Sequence, residues 1–299
     1  MRLEIKLNDN EYWWGGSTQY TDKLPICKDT ADYFLDMNMG TNQTMPLYIS
    51  TMGRCIFCED PMVVTANCGV IVCEASGDIL LEKFGDTLRD AYLGASRAHF
   101  PFSGKVPPLK FFETAQYNTW MEMDYNQTQE NVLKYAHGII DNGYTPGILM
   151  IDEGWHTRYG LWEFDEAKFP DPKAMIDELH ALGFTVMLWV VPMYTADGLS
   201  FITSAFKDRK HLSGGSGNKE LFLRNDKGNV ALVEWWNGYS AMLNFCKKDD
   251  CDFLEAKLKR LMDEYGVDGF KLDECDSSDN TGSWSFPLCA EFPSGLDGE

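Results

Sequence analysis

Cations are scarce in this chain: 26 Lys and Arg stand against 46 Asp and Glu, a formal net charge of −20 over 299 residues. Such a surface has little with which to neutralise nucleic-acid phosphates or anionic headgroups, so neither nucleic acid nor a membrane is an expected partner. There is also no apolar run of the ~18 residues that a membrane-spanning helix needs. The opening Met1-Arg2-Leu3-Glu4-Ile5-Lys6 lacks an apolar core of signal-peptide length. That points either to an intracellular protein or to a chain that starts downstream of its natural beginning, and the compartment stays open. Histidine is rare too. The five, His99, His137, His156, His180 and His211, show no paired spacing of the kind transition-metal sites use, and His156 alone follows a strand end.

Cysteine is present in odd number, nine, so at least one thiol has no partner within the chain. Cys55-x-x-Cys58, followed by Cys68 and Cys73, has the outline of a zinc site. Gly53 to Glu59 reads as a strand, however, and residues three apart in a strand face opposite sides. Ordinary thiols are the expectation, with no metal and no cofactor. The remaining composition, 44% hydrophobic and 24% charged, is that of a folded globular protein. Aromatic residues reach 13%, which fits flat rings against sugar faces as well as a large core.

Two textures divide the chain. Up to about residue 80, short apolar runs such as Met45 to Ile49 and Val70 to Val72 are broken by Gly, Asn, Asp and Pro, the pattern of an antiparallel β domain. A helical stretch follows over about 81–98, with Leu88, Tyr92 and Ala95 at helical spacing. Pro101 to Pro108 reads as a linker, which sets domains at 1–104 and 105–299. Beyond it, strand and helix alternate. Apolar runs at Gly147 to Ile151, Gly183 to Val191 and Val267 to Leu272 end in or near Asp152, Pro192 and Asp273. An amphipathic helix precedes each: Gln127 to Asp141; one capped by Asp171 with Pro172 at its first position; and one opened by an Asp252/Glu255 capping box. With a first strand near Phe111 to Trp120, this is a parallel sheet of four strands, half of an eight-stranded α/β barrel. A long insert covers about 195–250.

Catalytic groups in such barrels gather at the C-terminal strand ends. Here those ends are acidic and aromatic: Trp120, Glu122 and Asp124; Asp152, Glu153 and Trp155; Trp189 and Tyr194; Asp273, Glu274 and Asp276. Lys271 and Asp273, two apart in a strand, share a face. A Lys favours the ionised form of a neighbouring carboxylate. The pair is either a buried ion pair or an activated nucleophile able to attack an anomeric carbon.

Asp268-Gly-Phe-Lys-Leu-Asp-Glu-Cys-Asp276 resembles the nucleophile strand of glycoside hydrolase family 31. Ile148-Leu-Met-Ile-Asp-Glu-Gly-Trp155 is similar to that family's second-strand segment. Trp162 to Trp189 and Glu234 to Ala241 resemble its third-strand and aromatic segments, so the likeness runs in order from about 105 to 276. Trp13-Trp14-Gly15-Gly16 is similar to the family's β-sandwich loop. The resemblance implies a (β/α)₈ TIM barrel, present here as its N-terminal half, preceded by a β-sandwich-like domain. It implies a retaining α-glycosidase acting on an oligosaccharide or glycoside, with Asp273 as nucleophile. Asp152, Glu153, Trp189, Trp236 and Lys271 would bind substrate. Lys-x-Asp is closer to the α-galactosidase-type branch than to the α-glucosidases. Asn244 and Cys275 depart from the family pattern. The family's acid/base Asp lies after the sixth strand and has no counterpart here, so a truncated, inactive piece is the expectation. A degenerate sugar-binding barrel is the other reading.

Overall fold

The computed structural model describes residues 1–37, 44–196, 221–224, 228–235, 237–245 and 247–273. They fall into two compact units, the first Met1–Lys105 and the second beginning at Val106.

In the first unit the strands are β1 (Arg2–Lys6), β2 (Trp13–Ser17), β3 (Tyr33–Asp36), β4 (Thr44–Ser50), β5 (Arg54–Phe57), β6 (Val63–Asn67), β7 (Val70–Glu74) and β8 (Leu80–Lys83). They form two antiparallel four-stranded sheets, ordered β1-β7-β6-β3 and β2-β4-β5-β8. Alternate residues turn inward: Ile5, Leu35, Val64 and Ile71 from one sheet meet Trp13, Tyr48 and Ile56 from the other in one core. The hydroxyls of Tyr33 and Tyr48, 2.9 Å apart, join the sheets. The broken apolar runs predict an antiparallel β domain, and its arrangement as two facing sheets is the one the family resemblance implies.

Helix α1 (Leu88–His99) follows, closed at its start by a reciprocal capping box of Thr87 and Asp90. The expected helix over 81–98 is thus two elements, because Leu80–Lys83 pairs with β5 instead. Ala91 and Ala95 carry its buried face, and Tyr92 points outward at 58% exposure.

The second unit contains α2 (Lys110–Glu113), β9 (Gln116–Asn118), α3 (Trp120–Met123), α4 (Gln129–Asp141), β10 (Ile148–Ile151), α5 (Pro172–Ala181), β11 (Thr185–Val190), β12 (Met193–Thr195), β13 (Leu232–Trp235), β14 (Gly238–Met242), α6 (Lys248–Tyr265) and β15 (Gly269–Leu272). Its main sheet runs β15-β11-β10-β9, every pair parallel. Among the described residues it is open: β9 and β15 each pair with one neighbour in it. This is the first part of a barrel. The first strand is three residues long, flanked by single helical turns where one longer strand was expected. Within the insert, β12, β14 and β13 make a small antiparallel sheet.

Helix α5 begins as predicted: the Asp171 side chain accepts the Ala174 N–H, Pro172 stands at the first position, and Met175, Ile176 and Leu179 are buried. Helix α6 does not. It starts a turn before Asp252, which pairs with Lys248 at 2.6 Å rather than capping. The nearby buried Asp250 instead ties the insert to the helix, its Oδ2 accepting the N–H groups of Phe222 (3.0 Å) and Asn244 (2.7 Å). Gly266, at φ 88°, ends the helix in the left-handed conformation. Met262, expected inside, is exposed.

The entry to β10 is tight, since a Cβ on Gly147 would lie 2.1 Å from the Ala115 carbonyl oxygen. Gly147→Ala is expected to lower stability by about 1–3 kcal/mol through backbone displacement. Gly138→Ala, in α4 with open space around it, should gain up to about 1 kcal/mol. Urea unfolding of the two variants checks both signs.

Candidate active site

Parallel register sets the site. Ile151 lies beside Leu188, Trp189 beside Lys271 and Val190 beside Leu272. Asp152, Trp189, Lys271 and Asp273 therefore arrive together at the C-terminal end of the sheet. The Asp273 N–H continues the ladder to the Val190 carbonyl at 3.0 Å.

One ammonium holds two carboxylates: Lys271 Nζ is 3.3 Å from Asp152 Oδ2 and 3.2 Å from Asp273 Oδ2. Trp189 Nε1 donates to the same Asp273 oxygen at 2.7 Å. The Asp152 side chain is 4% exposed and that of Asp273 32%, so the first is embedded and the second faces outward.

The layer beneath is fixed by the loops that follow β9 and β10. Asn118 Nδ2 donates to Asp152 Oδ2 at 2.6 Å, while Asn118 Oδ1 accepts the Trp120 N–H at 2.8 Å. The Asp152 N–H donates to Thr119 Oγ1 at 3.0 Å, and that hydroxyl donates to Gln127 Oε1 at 2.7 Å. Asp152 Oδ1 accepts the Glu153 N–H at 2.9 Å. Trp155, fully buried, donates from Nε1 to the Trp189 carbonyl at 2.8 Å and so braces the strand end.

Glu153 is buried, and its Oε1 accepts from the Tyr159 hydroxyl and from Asn237 Nδ2, the latter at 3.3 Å. Burial and then the Glu153 carboxylate push the Tyr159 phenol above its ordinary range, and both act likewise on Tyr125. Tyr159 also sets its ring edge-on to Trp235, centroids 4.8 Å apart.

The predicted Asp152, Lys271, Asp273 and Trp189 thus come together, with Glu153 alongside. Trp236, Glu274 and Asp276 lie outside the described residues. Tyr194 is core, packed against Trp162 and Phe222. Glu122 lines a separate cavity of about 570 Å³ with Asn131, Lys134 and Tyr135. Sequence reasoning missed Asn118, Tyr159 and Asn237. Asn118 carries a usable signal, as the last residue of a strand whose neighbour ends in an acid. The other two come from loops. Chemically, the arrangement offers an accessible carboxylate oriented by two donors, beside an embedded carboxylate and an ammonium able to bind hydroxyls.

The TIM-barrel domain model of the glycosyl hydrolases of family 31 matches residues 105–291. Among curated proteins, a myogenesis-regulating glycosidase of Mus musculus is 33% identical over 178 residues, 59% of this chain and 23% of that protein. An alpha-xylosidase of Lactiplantibacillus pentosus is 22% identical over 293 residues, 91% of this chain and 35% of that protein. A family 31 dextranase of Flavobacterium johnsoniae, solved with glucose, superposes with a TM-score of 0.72 at 16% identity, covering 91% of this chain and 33% of that one. The chain therefore spans 23% and 35% of the length of the first two relatives.

His156 sits under this site, 8% exposed. Burial foremost, with Lys168 nearby, pushes its imidazole down to about 4. The unfolded imidazole titrates near ~6.5. Between those values the unfolded chain takes up a proton that the native site refuses. The contribution is whole above about pH 6.5 and is lost as pH falls toward 4, up to about 3 kcal/mol. Urea midpoints measured across this window should fall in the wild type and fall less in His156→Gln.

Proposed function

This chain belongs to glycosyl hydrolase family 31, and we propose that its protein cleaves terminal α-linked glycosides with retention, Asp273 being the nucleophile. The observation that carries the reading is the convergence of Lys271 Nζ and Trp189 Nε1 on one oxygen of Asp273. In the first step an Asp273 oxygen attacks the anomeric carbon, and the leaving oxygen takes a proton from a second carboxylic acid. In the next step water, deprotonated by that second group, releases the sugar and regenerates Asp273. Lys271 and Trp189 orient the nucleophile. Asp152, with Lys271, accepts and donates hydrogen bonds to sugar hydroxyls. Glu153 sets the aromatic side through Tyr159, and Trp236 is assigned to substrate binding on the family resemblance alone. Domain boundaries at 1–104 and 105–299 belong to the same reading.

For the sugar, relatives named as α-xylosidases and as a 1,3-α-isomaltosidase of Kribbella flavida favour α-xylosides and α-glucosides. The α-galactoside expected from Lys271 draws no support from those names and takes third place. The activity is assigned to the protein as a whole. The 299 residues assayed alone are expected to show no turnover, since the second carboxyl group is not assigned within them.

The test is covalent trapping in the protein that carries this chain, using fluorinated α-glycosyl inhibitors of the three sugars. Mass spectrometry should find the label on Asp273. Asp273→Ala should lose label and at least ~10³-fold in kcat. Trp189→Phe, deprived of one charge-assisted hydrogen bond, should lose about 10–100-fold. Binding of sugar without any label would instead identify a carbohydrate-binding protein, and label on another carboxylate would remove Asp273 from the role.

A further inference from the structure

The sandwich unit holds a second cluster of reactive side chains, unrelated to the barrel chemistry. Cys55 in β5 and Glu82 in β8 are register partners across the sheet, and His99 occupies the last turn of α1. One ligand-capable atom of each, the thiol sulfur, a carboxylate oxygen and a ring nitrogen, lies within 4.8 Å of the other two. Among the described residues this is the one such grouping of three His, Cys, Asp or Glu side chains. The imidazole is held in place: its ring stacks on Phe57, centroids 3.8 Å apart and planes 18° apart, and Nε2 meets Glu82 Oε2 at 2.5 Å.

From this geometry we propose that Cys55, Glu82 and His99 bind a zinc-class divalent cation, water completing a tetrahedron. One sulfur, one nitrogen and one oxygen donor suit zinc, and three protein ligands leave a fourth position open. Bond lengths of about 2.0–2.3 Å in a tetrahedron set ligand atoms roughly 3.2–3.7 Å apart. The cluster approaches that spacing by opening the 2.5 Å Glu82–His99 contact. Glu82, its side chain 31% exposed, has the torsional freedom to do this and gives the ion a way in. Binding forms a metal–sulfur bond and releases the Cys55 proton to solvent, with no change of oxidation state.

Other uses of the trio fit less well. Burial, then the Glu82 carboxylate, pushes the Cys55 thiol up to about 12, so without a metal it is a poor nucleophile. An ion here would have a mechanical consequence. The buried face of α1 consists of Ala91 and Ala95, and a bond through His99 would clip the end of that helix to two strands.

The experiment uses the reduced, metal-free 299-residue chain titrated with Co²⁺ and then Zn²⁺. One equivalent of cobalt should produce a thiolate-to-cobalt charge-transfer absorption that zinc abolishes, and zinc should raise the unfolding temperature. Cys55→Ser and His99→Gln should each remove the absorption and weaken zinc binding by more than the ~10–100-fold seen when an outer-shell partner is lost. Cys58→Ser and Cys73→Ser should keep both signals. Circular dichroism reports whether each variant folds, and His99→Gln, on the partly exposed side, decides the matter if Cys55→Ser does not. Absence of the absorption in the wild type overturns the proposal. So does its persistence in a folded Cys55→Ser or His99→Gln, or its loss in Cys58→Ser alone.

Discussion

Parallel register is the constraint on which the barrel unit depends. Side chains alternate across a strand, so slipping β15 by one residue against β11 would turn Lys271 and Asp273 to the opposite face together. The register is pinned at the far end of the same strands. Asp268 Oδ2 accepts the Val186 N–H at 2.7 Å and contacts His180 Nε2 at 2.8 Å, while the Asp268 N–H donates to the Val186 carbonyl. A carboxylate at the N-terminal edge thereby holds Lys271 and Asp273 in place at the C-terminal edge. Helix α5 supplies His180, which links the helix to the position of the strand on which the nucleophile candidate rides.

The electrostatics follow from that alignment. Burying the Asp152 carboxylate costs several kcal/mol unless its lone pairs are filled and its charge is countered. Asn118, Lys271 and the Glu153 N–H meet this need together. Lys271 is the one of the three that can also face substrate, its side chain 39% exposed and shared with Asp273. A sugar hydroxyl entering here would exchange with contacts already oriented, so little reorganisation is needed on binding. The same cation that makes the fold tolerable arranges the site.

Local chemistry was legible where a single physical signal dominated. Asp171-Pro172 announces a helix start because a cap acceptor and a fixed φ coincide there, and the apolar run into Asp152 announces a buried strand end. Asp252 and Glu255 have capping-box spacing too. Yet helix α6 extends a full turn earlier, because the buried Asp250 binds backbone N–H groups from the insert and fixes the chain before that point. β9 was misread because its flanking aromatics, Phe111 and Trp120, belong to helical turns rather than to the strand. Of the site, strand periodicity puts Lys271 and Asp273 on one face and the apolar run places Asp152 at a strand end, while their roles came only with the family resemblance. Tyr159 and Asn237 could not, since they meet Glu153 only after two loops close on it.

The cysteines show the same limit from the other side. Cys55 and Cys58 are close in sequence, and proximity in sequence made them the visible zinc candidate. Strand alternation sends Cys58 into the core between the sheets and Cys55 to the face under α1. The partners Cys55 does meet stand 27 and 44 positions along the chain, one from a paired strand and one from a helix packed across it. Neither residue carries a spacing rule, because no local geometry connects them. Strand alternation, which denies Cys-x-x-Cys the geometry of a metal motif, also sets Cys55 beside the better candidate partners. A strand that separates two thiols must deliver each to a different set of neighbours, and one of those sets contains an imidazole and a carboxylate.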